Sequence, residues 1–363
     1  MANRVFNFSA GPAGLPESVL LQAQAELLSY GDCGASIMEI SHRSETFKEI
    51  LDSARNGIRT LLAVGDDFDV LLIQGGSRLQ FSMIPMNLAS REQTADYVVS
   101  GAWSAKALEE AHRECDVHIS WNGTSDGFDR LPVNEDLLRS EKPAFAYYCS
   151  NETIHGLQFP EAPDYGSVPL VCDASSDFLS RPVDMQRHGL IYACAQKNVG
   201  PAGLTVVVIR RDLLERSSDD LPGYLNFKSH STANTMYNTP PTFAIYIMDL
   251  VCKWIIDECG GLDSLANTNR KKAELLYSAI DRHAGFYSGH AQTASRSNMN
   301  VVFNLPSEEL THSFIEQAAD HSLTSLAGHR SVGGIRASIY NAMPRAGVES
   351  LAWFMDDFAN ANG

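Results

Sequence analysis

The sequence predicts an α/β fold with a large domain built on a mainly parallel seven-stranded sheet, followed by a smaller α+β domain at the C-terminal end. Short apolar segments alternate with amphipathic stretches through most of the chain, as they do in consecutive strand–helix–strand units. At 363 residues, the chain also exceeds what one hydrophobic core ordinarily holds. A second, smaller domain is therefore expected.

The first part of the chain contains two helix patterns and then a series of strand patterns. After an extended segment, 1–15, Pro16 opens a helix whose apolar residues recur as far as Leu27 and which Gly31 ends. A second helix is predicted from about Ser44 to Leu62. The predicted strands that follow are 70–73, 97–99, 117–119, 145–148, 168–171, 191–193 and 206–209.

The rhythm changes after a predicted helix from Phe243 to Cys259, where the Gly260-Gly261 pair interrupts the pattern. A further helix is predicted around Lys271 to Ile280, and the division between a large domain, 16–265, and a small domain, 266–363, is placed there. The predicted elements of the small domain are strands at 300–303 and 335–339 and helices at 308–319 and 348–359.

Composition limits the classes of partner. The 28 basic and 44 acidic side chains give a net charge of −16, which opposes binding to nucleic acid or to an anionic membrane. No apolar run approaches the roughly 20 residues of a membrane span, and the N-terminal residues do not resemble a secretory signal. The seven cysteines are odd in number and include no Cys-x-x-Cys pair. Reduced thiols and a cytoplasmic location are therefore expected.

The net charge does not exclude a small anionic ligand. A single cation 4 Å from an anion contributes about 4 kcal/mol at an effective dielectric constant of about 20. Local arginines therefore decide whether a phosphorylated substrate binds.

A glycine turn after the first predicted strand is a candidate anion site. Gly75-Gly76 separates that strand from a helix, and Ser77 and Arg78 begin the helix. Free backbone N–H groups and the positive end of the helix dipole would attract a phosphate. The turn matches neither the dinucleotide-binding nor the P-loop pattern, and a plain tight turn is the alternative.

Asp173 and Lys197 follow two successive predicted strands, and ligands of α/β proteins sit at such strand ends. A buried carboxylate requires a partner, and a protonated pyridine nitrogen would be one. Burial would lower the pKa of the Lys197 amine, and the neutral amine is the form that adds to an aldehyde. Taken singly, a capping Asp and a solvated Lys are the alternatives.

An indole and two basic pairs complete the set of candidates. Trp103 follows the strand at 97–99 and could stack on an aromatic cofactor or pack against a neighbouring helix. The pairs His42-Arg43 and His329-Arg330 could bind carboxylate or phosphate, or could form weak surface ion pairs.

In this order, these residues resemble the fold-type I pyridoxal-phosphate enzymes, and within them the class-V family of phosphoserine aminotransferases. The similarity spans nearly the whole chain. One departure is Ser77, where some relatives have a third glycine. The motifs are NFSAGPA at 7–13, MEISHR at 38–43, NETIHG at 151–156, GLIYACAQKN at 189–198, YNTPPTF at 237–243 and GHRSVGGIRAS at 328–338.

The resemblance implies a role for each matching residue toward the cofactor, pyridoxal 5'-phosphate. Lys197 would form the Schiff base, Asp173 would pair with the pyridine nitrogen and Trp103 would stack on the ring. Thr153 would bind the phenolic oxygen. The cofactor phosphate would be held by Ser77, Arg78 and Gln196, with Asn238 and Thr239 reaching over from a second subunit of a homodimer with shared active sites.

The resemblance also implies how substrates would bind. The segment 1–15 would pack near the active site, and Ser9 and Arg336 would lie near the α-carboxylate. His42 and Arg43, together with His329 and Arg330 from the partner subunit, would bind the phosphate of phosphoserine or the side-chain carboxylate of glutamate.

The implied reaction converts O-phospho-L-serine and 2-oxoglutarate into 3-phosphohydroxypyruvate and L-glutamate in serine biosynthesis. The resemblance also implies a second substrate, phosphohydroxythreonine, an intermediate of pyridoxine biosynthesis. The alternatives are a desulfurase or lyase on the same fold, which would need a cysteine in a mobile loop, and a non-catalytic metabolite-binding protein. No metal site is expected, because no metal-binding motif occurs.

Overall fold

The computed structural model describes residues 4–363, so the first three residues of the predicted segment 1–15 lie outside the described part. None of the helices within that part is both long enough and apolar enough to cross a membrane. The helices, in chain order, are α1 Glu17–Glu26, α2 Glu45–Leu62, α3 Ser77–Leu88, α4 Ala102–Ala111, α5 Arg211–Leu214, α6 Phe227–Thr232, α7 Thr242–Lys253, α8 Gly261–Arg282, α9 Glu308–Asp320 and α10 Arg345–Asn362.

The strands form a large sheet and several smaller ones. The large sheet, seven-stranded within the described residues, has the order β2-β10-β9-β8-β5-β3-β4. The strands, in chain order, are β1 Phe6–Asn7, β2 Phe68–Gln74, β3 Thr94–Val99, β4 Asp116–Asn122, β5 Ala146–Cys149, β6 Asn151–Glu152, β7 Leu157–Gln158, β8 Leu170–Asp173, β9 Leu190–Cys194, β10 Leu204–Arg210, β11 Ser288–Gly289, β12 Asn300–Asn304, β13 Leu323–Thr324 and β14 Ile335–Ser338.

The large sheet confirms the predicted fold class. Each of the seven predicted strand segments overlaps one of its strands, and the sheet is parallel from β9 through β8, β5 and β3 to β4. The exception is β10, which runs antiparallel to both β2 and β9. Its two neighbours therefore point the same way, so the carboxyl ends of β2 and β9 lie at the same edge of the sheet.

The sheet is buried on both faces because its central strands are apolar throughout. In β8, Cys172 belongs to the core on one face and Val171 to the core on the other, since successive side chains alternate. Helices α2 and α7 pack on each other and supply the first core, whereas α3 and α4 supply the second.

The small domain packs α8, α9 and α10 on the antiparallel sheet β11-β12-β14. Phe314 is fully buried at its centre, and aromatic rings surround it at edge-to-face angles, a favourable geometry for ring quadrupoles. The N-terminal segment joins this domain, because β1 pairs with β13 and Phe8 lies in the same core.

Helix α8 runs without interruption through the predicted division at residue 265. Leu262 and Leu265, in its first two turns, pack in the large core, whereas Ala273 and Leu276 pack in the core of the small domain. One helix thus contributes to both hydrophobic cores. The division at 265/266 stays a prediction.

Some predicted element boundaries are wrong. Helix α1 ends at Glu26 rather than near Gly31, and the predicted helix 243–259 changes at Trp254 into a π-helical turn, Trp254–Glu258. Helix α8 begins at Gly261, ten residues before the predicted Lys271. Its first turns were missed because their polar residues gave no clear helical period.

Candidate active site

A cavity of about 470 Å³ opens at the carboxyl edge of the large sheet. Segments that follow β2, β3, β5, β8 and β9 contribute to it, because the carboxyl ends of all five strands meet there. Its lining residues are Ala10, Gly11, Gly76, Ser77, Arg78, Trp103, Cys149, Asn151, Thr153, Asp173, Ser175, Ser176, Cys194, Gln196, Lys197, His329 and Arg336.

Asp173, the last residue of β8, is a buried carboxylate in the wall of this cavity. The backbone N–H of Ser175 donates to its Oδ1 at 2.9 Å, and the hydroxyl of Tyr192 donates to its Oδ2 at 2.8 Å. Burial raises the pKa of Asp173, and hydrogen bonds from Ser175 and Tyr192 and the charge of Lys197 oppose that rise. Both oxygens are therefore held in a fixed direction beside the cavity.

Tyr192 is part of a buried chain of hydroxyl groups. It lies opposite Asp173 in the pairing of β8 with β9, and Tyr147 on β5 lies 2.9 Å away, hydroxyl to hydroxyl. Because Tyr192 donates its proton to Asp173, its oxygen is left to accept from Tyr147. The two tyrosines form a polarised chain that ends at the carboxylate.

Lys197 lines the same cavity three residues beyond the end of β9. Its Nζ lies 5.5 Å from the centroid of the Trp103 ring. Desolvation lowers the pKa of Lys197, but the electrostatic effects of Tyr340, Cys194 and Asp173 together outweigh it, so the net pKa is raised. The prediction that the pKa of this amine is lowered is wrong in direction, since burial was counted without these neighbours.

The glycine turn and the start of α3 form one wall. Gly75 has φ +119°, a conformation that a residue with a side chain rarely adopts, and Gly76 precedes the first helical residue. The turn brings the start of α3 to the cavity, which Gly76, Ser77 and Arg78 line, and the first N–H groups of a helix have no partner within the helix. The Ser77 hydroxyl lies 2.8 Å from that of Ser175, so Ser77 is tied to the strand end that carries Asp173.

The Trp103 ring and Thr153 form another part of the wall. The indole N–H of Trp103 donates to the hydroxyl of Thr153 at 2.9 Å. Behind them, the buried carboxylate of Glu152 accepts from the backbone N–H groups of Trp103 and Ser104 at 3.0 and 2.8 Å. An acidic side chain at the start of α4 complements the helix dipole, so Glu152 fixes the indole from outside the cavity.

Two basic side chains reach the cavity from the small domain. Arg336 on β14 and His329 line it, and burial lowers the pKa of each, with the charge of Arg336 acting further on His329. The loop before β14 brings His329 to the cavity of its own chain, whereas the resemblance implied His329 from a partner subunit.

Several predicted site residues do not line this cavity. The side chain of Asn238 donates to Gln74 at 2.8 Å, and the Thr239 carbonyl accepts from the same residue at 3.1 Å. The remaining residues lie at other positions: Ser9 beside the lining residues Ala10 and Gly11, His42 and Arg43 before α2, and the exposed Arg330 next to His329.

Residues that the sequence did not single out also act at the site. Tyr192 and Glu152 lie inside the motifs given above. The pairing of β8 with β9 places Tyr192 against Asp173, and hydrogen bonds from the start of α4 join Glu152 to Trp103. Tyr340, which follows β14, affects the pKa of both Lys197 and Arg336. In the sequence, its position just after a predicted strand was the only indication that Tyr340 lies near the site.

The side chains present fit pyridoxal 5'-phosphate. A carboxylate, an amine and an indole ring line one cavity, and the buried Oε1 of Gln196 in its wall has no partner within the described residues. The start of α3, with Arg78, suits the phosphate, and Asp173 suits a protonated ring nitrogen.

The chain belongs to the class-V aminotransferase family, whose family model matches residues 5–351. Among similar proteins, a phosphoserine aminotransferase from Rhodopirellula baltica is 55% identical over 361 residues, covering 99% of this chain and 96% of the relative. The solved structure of a phosphoserine aminotransferase from Bacillus circulans subsp. alkalophilus superimposes with a TM-score of 0.97 at 46% identity and covers 100% of both chains. A phosphoserine aminotransferase from Trichomonas vaginalis with bound PLP gives a TM-score of 0.92 at 39% identity, over 97% and 99%.

Replacing Tyr192 with Phe is expected to weaken the binding of pyridoxal 5'-phosphate by about tenfold, because Asp173 loses a hydrogen bond to its charged form. A spectroscopic titration of the cofactor-free protein measures this affinity. Tyr148→Phe is the matched control: it removes a buried hydroxyl on the opposite face of the sheet, where Tyr148 bonds His188 at 2.8 Å. Equal affinities for the two variants would contradict the role of Tyr192.

Proposed function

We propose that this chain is an aminotransferase that uses pyridoxal 5'-phosphate to convert O-phospho-L-serine and 2-oxoglutarate into 3-phosphohydroxypyruvate and L-glutamate, a step of serine biosynthesis. The observation that carries the proposal is that Lys197 and Asp173 line one cavity. The identity to phosphoserine aminotransferases over nearly the whole chain supports the choice of substrate.

Each wall of the cavity would hold one part of the cofactor. Asp173 would pair with the ring nitrogen, Trp103 would cover the ring, and Thr153 would bind the phenolic oxygen. Ser77, Arg78 and Gln196 would bind the phosphate. The support for these roles is that all six residues line the cavity.

When bound, the cofactor supplies an electron sink that stabilises negative charge at the substrate Cα. Asp173 keeps the ring nitrogen protonated, since its carboxylate is held in place by Ser175 and Tyr192. Lys197 would bind the cofactor through its amine, and the same amine would remove a proton from the substrate Cα and return a proton to that carbon in the reverse direction.

Arg336 and His329 give the cavity its affinity for anions. The guanidinium of Arg336 suits the α-carboxylate, because its planar fork matches two carboxylate oxygens. His329, with Arg330 beside it, would bind the phosphate of phosphoserine or the second carboxylate of glutamate. Ser9 would support the carboxylate end, since Ala10 and Gly11 line the cavity.

The residues outside the cavity support a homodimer with shared active sites. Asn238 and Thr239 would complete the phosphate site of a second subunit, and His42 and Arg43 would complete its substrate site. A cytoplasmic location and a second activity on phosphohydroxythreonine, in pyridoxine biosynthesis, are part of the same proposal.

The alternative of a desulfurase requires a reactive thiolate near the substrate. Cys149 lines the cavity, but burial raises its pKa well above the usual value. A protonated thiol is a weak nucleophile, so this cysteine favours transamination over sulfur transfer.

Replacing Lys197 with Ala is expected to lower kcat by at least ~10²-fold, because general acid–base catalysis at Cα is lost.

In the unaltered protein, the rate of covalent cofactor capture should rise from about pH 7 to about pH 9, since the raised pKa of Lys197 leaves little neutral amine at lower pH. Absorbance and borohydride trapping measure the capture. A rate that falls with pH, or normal turnover by Lys197→Ala, would contradict the assignment.

An amino-donor panel with 2-oxoglutarate as acceptor tests the substrate. Phosphoserine is expected to have the highest kcat/KM, with serine and alanine lower by at least about tenfold, because they cannot use a charge-assisted contact to phosphate. A preference for serine or alanine would overturn the substrate and leave the cofactor assignment intact.

Mixing two inactive variants tests the shared sites. If Arg43 reaches into the partner's site, random reassortment of Lys197→Ala and Arg43→Ala chains should restore about a quarter of the unaltered activity, because half of the dimers then carry one intact site. The unmixed variants are the controls. No recovery after verified reassortment would contradict the sharing of Arg43 between subunits.

A further inference from the structure

Lys272 is a buried lysine on α8, with only 1% of its surface exposed. Its ammonium group donates to main-chain carbonyls of the segment that follows β14: Tyr340 at 2.8 Å, Ile339 at 3.1 Å and Met343 at 3.2 Å. The carbonyl of Asn341 lies 3.5 Å away. A buried charge is thus satisfied by backbone oxygens that converge on one point.

The segment that Lys272 holds, Ile339–Met343, leads directly to the active site. The Tyr340 hydroxyl donates to the carbonyl of Ala10, a cavity residue, at 2.9 Å. Tyr340 also acts electrostatically on both basic groups: it raises the pKa of Lys197 against desolvation and opposes the lowering of the pKa of Arg336 by burial. The position of Tyr340 therefore affects both the amine and the guanidinium of the site.

Asn341 in the same segment contacts the loop that carries Lys197. Its backbone N–H donates to the side chain of Asn198, the neighbour of Lys197, at 3.0 Å, and its own side chain donates to the carbonyl of Leu179 at 2.9 Å. Asn269, one turn before Lys272 on α8, donates to the side-chain oxygen of Asn341 at 2.9 Å. Helix α8 thus contacts the segment through two side chains, those of Asn269 and Lys272.

A packing role alone does not account for a lysine at this position. Burial lowers the pKa of Lys272 to about 7, while the Cys259 thiol opposes the shift, so the protein keeps a costly amine here. An ammonium has three N–H donors and can gather carbonyls that face one another, whereas an apolar side chain would leave them without a donor. The gain is a fixed path for the backbone of the segment.

We propose that Lys272 is a positioning residue for the reaction: it gathers the carbonyls of residues 339–343 and so holds Tyr340 and Asn341 against the Lys197 side of the site. This inference rests on the proposed function. It assigns no contact with substrate or cofactor to Lys272.

The test compares Lys272→Met with Lys271→Met in the full chain loaded with pyridoxal 5'-phosphate. Lys271 is the neighbouring lysine on the same helix and is exposed, so its replacement controls for loss of a positive charge. Lys272→Met is expected to bind the cofactor about tenfold more weakly and to shift the pH midpoint of the bound cofactor's absorbance, because Tyr340 is released from Lys197. Lys271→Met should leave both unchanged.

A less stable Lys272→Met protein with unchanged cofactor affinity and unchanged pH midpoint would overturn the proposal, since the role would then be structural only. If Lys272→Met does not fold, Asn269→Ala loosens the same segment and should produce the same two shifts to a smaller extent. A folded Asn269→Ala protein without either shift would also overturn it. If the unaltered protein does not bind the cofactor, that result would instead contradict the proposed function, on which this inference rests.

Discussion

The site depends on one constraint: a carboxylate is buried at the end of β8, beside a lysine that follows the adjacent parallel strand. Isolated in the protein interior, the charge of Asp173 would be costly, and its hydrogen bonds from Ser175 and Tyr192 offset only part of that cost. A cationic ring nitrogen in the cavity would offset the remaining cost of burying this charge. A buried acid that these contacts satisfy only in part therefore prepares the site for its cofactor.

Other parts of the structure place Asp173 and Lys197 beside the groups that would hold the ring and the phosphate of the cofactor. Glu152 fixes Trp103 through a hydrogen bond at the start of α4, and Gly75 lets the backbone turn so that the start of α3 lines the cavity. The small domain adds its anion-binding side chains through β14 and the segment after it. Helix α8 packs in both hydrophobic cores and so links the large sheet to the small domain. Residues from both parts of the chain line the cavity.

Much of this arrangement was predictable from local patterns. The seven strand segments follow from their apolar runs, and Asp173 and Lys197 stand out because strand ends of α/β sheets collect functional residues. The antiparallel direction of β10 was not predictable, since an apolar run has no direction. The direction of the pKa shift of Lys197 was not predictable from burial alone, because Tyr340 after β14 and Asp173 on β8 act on it together with the nearby Cys194.

The sequence by itself determined the fold class, the apolar strands and the residue types that a pyridoxal-phosphate site needs, because these depend on local periodicity and on motifs that are continuous in the chain. Only the tertiary structure decided which side chains meet. It placed His329 in the cavity of its own chain. It also brought Tyr192 within hydrogen-bond distance of Asp173 and Lys272 within hydrogen-bond distance of the carbonyls of residues 339–343. The physical reason is that hydrogen bonds and desolvation act over a few ångströms in space, whereas Tyr192 and Asp173 lie 19 residues apart along the chain and Lys272 and Met343 lie 71 residues apart.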